Sequence, residues 1–288
     1  AFKETAYCLN VMDKSRIIAN LEEILKPVPK KERQALRRKK SLDNYFKRRA
    51  QNYSAYEKEE DEWREADELS CFRGIGELLR LPENRKALRE ARNYFKANTK
   101  NIPEKEIDLS ITLESLVTLF GEMKGIVDGM LGIECEKPLI QFIYNSPASW
   151  YFMNKKLALI GINRLLPNNC AHEYAHHVTS YSKAQAKWIK SRLMEEGFAH
   201  GIGRNASTIY ASNHDMPLLA HMAFDDYTLK IARAESTLKN QPMFPDKQDI
   251  TVYGIAAFLV AEAKHGKSIY REIIKSHEPA EYLLKKLK

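Results

Sequence analysis

Four cysteines in 288 residues, at positions 8, 71, 135 and 170, form no Cys-x-x-Cys pair. That spacing excludes a zinc knuckle and a thioredoxin-type redox motif. Thiols this sparse and scattered suit a reducing compartment better than a disulfide-built secreted domain. Long apolar runs are also missing. Leu157–Ile162 and Ile255–Ala261 fall far short of the roughly 20 residues that a membrane-spanning helix needs, and both read as core. No signal-peptide pattern, internal repeat or low-complexity tract is visible. A soluble, cytoplasmic protein with no membrane span is expected. Strong charge asymmetry is absent too: a formal charge of +8 makes the surface only moderately basic. The basic run Lys30–Lys40 is followed closely by an acidic run from Glu57 to Glu68. Neighbouring runs of opposite sign read as solvated helix faces, and the acidic one opposes contact with a nucleic-acid backbone.

What is present is a chain of two textures. The first third is charged and striped at helical spacing. Ile17, Ile18, Leu21, Ile24 and Leu25 form one stripe, Leu42, Tyr45, Phe46, Tyr53 and Tyr56 a second, and residues 69–81 and 87–95 two more. Each stripe needs a partner face, so residues 1–110 are expected to form a helical N-terminal region, with a polar linker at Asn98–Lys105. A long helix is expected at Leu113–Leu131. Its Gly121, Gly125 and Gly129 lie four apart, which calls for a close neighbour. After Gly132 the pattern changes. Leu139–Tyr144 and Leu157–Ile162 read as strands separated by an Asn-Ser-Pro turn. Pro167 and the Asn168-Asn169 pair announce a helix. A second helix spans 183–200 and closes at Gly201 and Gly203, and the remainder is mostly helical. The expected fold is α+β, mostly helical, with a small sheet. Residues 111–288 carry the chemistry.

That chemistry centres on His172-Glu173-Tyr174-Ala175-His176, followed after nineteen residues by Glu196-Gly197-Phe198-Ala199. Histidines four apart share one helix face, so both rings can reach one zinc ion. Glu173, beside the first histidine, is placed to act as general base on water. Glu196 from the following helix completes a two-His, one-Glu set with a fourth position open, the mark of a catalytic rather than a structural site. Glu195 competes for that role, but adjacent helix residues point about 100° apart, so only one of them faces the ion. His177 points to another side, and Cys170 reads as a small buried residue.

His172–His176 with Glu196-Gly197-Phe198-Ala199 resembles the gluzincin metallopeptidases, in which a HExxH helix is followed by a ligand glutamate in a Glu-Gly-Phe-Ala context. Ala171–Val178 is also similar to a family of small zinc-dependent proteases with a His-Glu-Tyr-x-His-His core. The spacing is one residue longer than in the gluzincin aminopeptidases. Their Gly-x-Met-Glu-Asn segment, which binds a free amine, does not occur upstream of His172, which argues against an aminopeptidase. The resemblance implies a zincin-like catalytic domain, Zn2+ as cofactor and a peptide or unfolded protein as substrate. It also implies a second hydrogen-bond donor for the oxyanion. Tyr253, at the start of an apolar helix, is the expected donor, with His200, His214 and His221 as alternatives; Asp215, Asp225 and Asp226 could support a histidine ligand. Substrate would lie extended along an edge strand, here Leu139–Tyr144. The expected activity is endopeptidase or oligopeptidase. The rival reading is a helical regulatory or interaction protein that keeps a zinc site without peptidase activity.

Overall fold

Alternation of apolar residues builds the sheet. The computed structural model describes residues 9–10, 71–98, 113–144, 149–162, 165–182, 191–240 and 247–288. Its strands are β1 (Leu9–Asn10), β2 (Leu139–Tyr144), β3 (Trp150–Phe152) and β4 (Leu157–Ile162). β2 and β4 run parallel, with Leu139 opposite Leu157 and Tyr144 opposite Ile162. Ile140, Phe142, Ala158 and Ile160 are buried, while the residues between them are partly exposed along most of both strands. One face of the sheet therefore packs on helices.

The strand order is β1-β2-β4-β3, with β1 and β3 antiparallel to their neighbours. Leu139–Tyr144 is thus flanked on both sides and is not the edge strand expected from the sequence. The edges are β1 and β3. A single 3-10 turn, Met153–Lys155, and a left-handed Lys156 (φ 47°) reverse the chain between β3 and β4. Three residues are too few to give a periodic signal, which is why β3 escapes a pattern reading.

The helices are α1 (71–79), α2 (Pro82–Asn98), α3 (Leu113–Leu131), α4 (Leu166–Ser180), α5 (Arg192–Asn213), α6 (Pro217–Asn240), α7 (Lys247–His265), α8 (Ser268–Lys275) and α9 (Pro279–Leu287). Prolines open α2, α6 and α9, where the missing N–H costs nothing. Residues 1–11 and 68–288 form one compact unit and residues 12–67 another. The stripes at 17–25 and 42–56, both charge runs and residues 99–105 lie outside the described residues. Within the larger unit α2 packs on α6 and α7. None of the helices among the described residues is long and apolar enough to cross a membrane.

Two expectations about glycine fail. Helix α5 does not close at Gly201 and Gly203 but continues to Asn213. Its glycines give room to neighbouring helices: Tyr270 of α8 lies over Gly201, and Asn168 of α4 over Gly203. Conversely, a methyl group at Gly121, Gly125 or Gly129 would meet nothing within 4 Å among the described residues. The helix-period glycines of α3 are not a packing seam there.

Candidate metal centre

Helix α4 is buried on nearly every side. Cys170, Ala171, Tyr174, Ala175 and Val178 carry its apolar contacts with α3, α5 and the sheet. Several of its polar side chains are tied to neighbouring elements. Tyr174 donates to Asp128 Oδ1 of α3 at 2.7 Å. His177 accepts from the Tyr151 hydroxyl of β3 at Nδ1 (2.7 Å) and donates from Nε2 to the Glu136 carbonyl (2.8 Å). His177 is therefore fully committed, as its helix position implies, and it fastens the edge strand to the metal-motif helix. Burial pushes the Cys170 thiol far above its usual range, so it stays protonated.

With those contacts fixing the helix, His172 and His176 turn towards α5. Their Nε2 atoms lie 3.1 Å apart. Glu196 Oε2 stands 3.6 Å from His172 Nε2 and 4.0 Å from His176 Nε2. All three ligand atoms fall within 4.8 Å of one another. Tetrahedral donors about 2.0–2.2 Å from zinc would be roughly 3.3–3.6 Å apart; the observed 3.1, 3.6 and 4.0 Å bracket that range, so small side-chain movements would close it. The chemistry fits as well. Two imidazole nitrogens and one carboxylate oxygen face one point, an arrangement that can coordinate a metal ion.

Glu195, expected only as a competing ligand, has a different place. Its Oε1 lies 3.1 Å from His176 Nδ1. A carboxylate at Nδ1 keeps a proton there and leaves Nε2 aimed at the site. Burial disfavours a charged His176, but the Glu195 carboxylate outweighs it, and the ring is raised to about 10. A metal ion binding there displaces a proton. His172 goes the other way. Burial, then the charges of His176 and Lys230, hold it well below the usual histidine range.

Glu173 is 3% exposed. Burial pushes its carboxyl up to about 8; His176 opposes this, and the charges of Glu196 and Glu195 add to it. A carboxyl that exchanges its proton near neutrality suits general acid–base work.

One neighbour was not legible in the sequence. Lys230 of α6 donates to His200 Nδ1 at 3.3 Å and pairs with Asp226 at 2.6 Å. Burial and the Lys230 charge hold His200 far below its ordinary value, so its ring is neutral. With Nδ1 accepting, the ring proton sits on Nε2, which is 3.9 Å from Glu196 Oε2. The His200 ring lies 4.4 Å from that of His172.

Tyr253 is not brought into this group. Its ring stacks on Phe72 of α1, with centroids 4.2 Å apart. It also packs over Gly76, and its buried hydroxyl has no hydrogen-bond partner among the described residues. The apolar start of α7 that singled it out serves the core. Its neighbour Gly254 matters instead, because it meets Gly197 beside Glu196. His214 pairs with Glu122 at the surface, Asp215 is exposed, and the side chains of His221 and Asp225 lie outside the described residues. No protein-family model, curated protein or solved structure matches the chain.

Proposed function

We propose that this protein is a zinc-dependent hydrolase of peptide bonds, acting as an endopeptidase or oligopeptidase on peptides or unfolded protein. The observation that carries this reading is the convergence of His172, His176 and Glu196 within 4.8 Å, beside a buried glutamate at the next position on the helix. These three side chains would hold Zn2+, which when bound supplies Lewis-acid polarisation of the scissile carbonyl and of water. Glu173 takes the proton of the attacking water and returns it to the leaving amine. Its raised carboxyl value supports both halves of that transfer. His200 presents an N–H beside Glu196, held in that tautomer by Lys230, and takes the oxyanion-donor role expected of Tyr253. β3, at an edge of the sheet among the described residues, offers its outer backbone groups to an extended peptide. Its Tyr151 is anchored through His177 to the metal-motif helix, and Trp150 and Phe152 are 48% and 44% exposed.

The test is Glu173→Gln, read by zinc content and by turnover of an unfolded protein. The amide keeps its size but cannot accept the proton, so zinc should remain while turnover falls by about a hundredfold or more. Equal turnover in both proteins rules out the mechanism. A wild type that holds zinc but cleaves nothing would favour a regulatory zinc site instead.

A further inference from the structure

A concave site lies between α2 and α6, a cavity of about 350 Å³. Arg80, Arg85, Arg89, Arg92 and Lys239 line it against a single carboxylate, Glu235. Its floor is apolar, formed by buried Leu88 and half-buried Leu238. Arg85, Arg89 and Arg92 fall at helix positions i, i+4 and i+7, which stacks three guanidinium groups along one face of α2. Like charges at that spacing weaken a helix. Two of the cleft's arginines are already fixed: Arg80 donates to the Leu238 carbonyl at 2.8 Å, and Arg92 pairs with Glu235. Arg85 and Arg89 make no ion pair among the described residues and are exposed at the rim.

We propose that this cleft binds a small, multiply charged phosphate-bearing anion. Guanidinium forks match phosphate oxygens in pairs, and several of them converging on one concavity favour two or more linked phosphates over a single one. The low-dielectric floor strengthens each contact relative to a flat basic surface. The size of the cavity limits the occupant to a small molecule, and the floor leaves room for an apolar portion. The cleft shares no residue with the candidate metal centre.

The probe is inorganic pyrophosphate, titrated calorimetrically into chelator-treated, metal-free protein so that the His/His/Glu site cannot report. Wild type is compared with Arg85→Gln/Arg89→Gln and with Arg73→Gln/Lys285→Gln, which removes the same charge from exposed positions elsewhere. Thermal melts establish that all three are folded. The cleft variant should bind at least tenfold more weakly than wild type, and the control within twofold. Pyrophosphate should also bind at least tenfold tighter than orthophosphate. Equal weakening in both variants would reduce the effect to overall charge and overturn the site. So would equal affinity for the two anions, or no uptake of pyrophosphate at low salt. Preference for a single-stranded RNA oligomer at matched phosphate concentration would overturn the small-anion assignment.

Discussion

Gly197 and Gly254 meet backbone to backbone, and through that contact helix α7 sets the position of Glu196. A methyl group on Gly197 would stand 2.6 Å from the carbonyl carbon of Gly254, and one on Gly254 only 2.1 Å from the Leu193 oxygen. The nearest atoms at this contact are backbone, not the end of a side chain that could give way. Gly254→Ala therefore has to push α5 and α7 apart. Overpacking of this kind costs about 1–3 kcal/mol. Because Glu196 precedes the contact by one residue, the carboxylate moves with the helix. Urea denaturation should show the loss of stability, and a zinc titration should show weaker binding. A variant as stable as wild type with unchanged zinc affinity would mean that the crossing does not position the ligand.

Glu195 and Glu196 should separate cleanly by substitution. Glu196→Ala removes a donor and should abolish tight zinc binding. Glu195→Gln keeps the shape but weakens the hold on His176 Nδ1, seen here at 3.1 Å. Loss of such an outer partner typically costs about 10–100-fold in metal affinity. Competition with a chromogenic chelator measures both. If the two variants lose affinity to the same extent, Glu195 is itself a ligand.

The His-Glu-x-x-His element was legible because its meaning is local: a spacing of four puts two rings on one helix face whatever surrounds the helix. Strands β2 and β4 and helix α3 were legible for the same reason, since their periods lie within one segment. What failed depended on another segment. Gly201 and Gly203 look like helix breakers until Tyr270 and Asn168 occupy the space they leave. Tyr253 has the sequence context of a catalytic tyrosine, but Phe72, far away in the chain, claims its ring. Lys230 carries no motif; it acquires a role only because α6 lies beside His200.

A buried network holds α5 to α7 and α8 beyond the candidate metal centre. Glu262 Oε2 accepts from Arg204, from Asn205 at 3.1 Å and from Tyr270 at 2.9 Å. Arg204 lies over the Tyr227 and Phe95 rings and is 6% exposed. Glu262→Ala would leave that guanidinium buried without its counter-charge, a loss of about 3–5 kcal/mol. Glu262→Gln keeps an acceptor for the same donors and should cost less. Chemical denaturation of the two variants gives the order. Equal stability of Glu262→Ala and wild type would show that water reaches Arg204 and compensates it.

His200 and Tyr253 separate by substitution as candidates for the oxyanion donor. Tyr253→Phe removes a buried hydroxyl that has no hydrogen-bond partner among the described residues. Turnover should change less than about twofold, and stability should hold or rise, because an unsatisfied buried hydroxyl costs about 1–3 kcal/mol. His200→Ala removes the N–H beside Glu196. It should lower kcat by about 10²–10³ with zinc retained, the range for one lost oxyanion donor. Lys230→Met tests why His200 presents that N–H. Without the ammonium at Nδ1 the ring proton is free to choose either nitrogen, so kcat should fall, while Lys230→Arg restores part of it. Nitrogen-15 spectra of the imidazole in metal-free protein read the tautomer directly, independent of any substrate. Wild type should show the Nε2–H form and Lys230→Met a mixture. A wild-type ring protonated at Nδ1 would sink the assignment even if every kinetic effect had the expected sign.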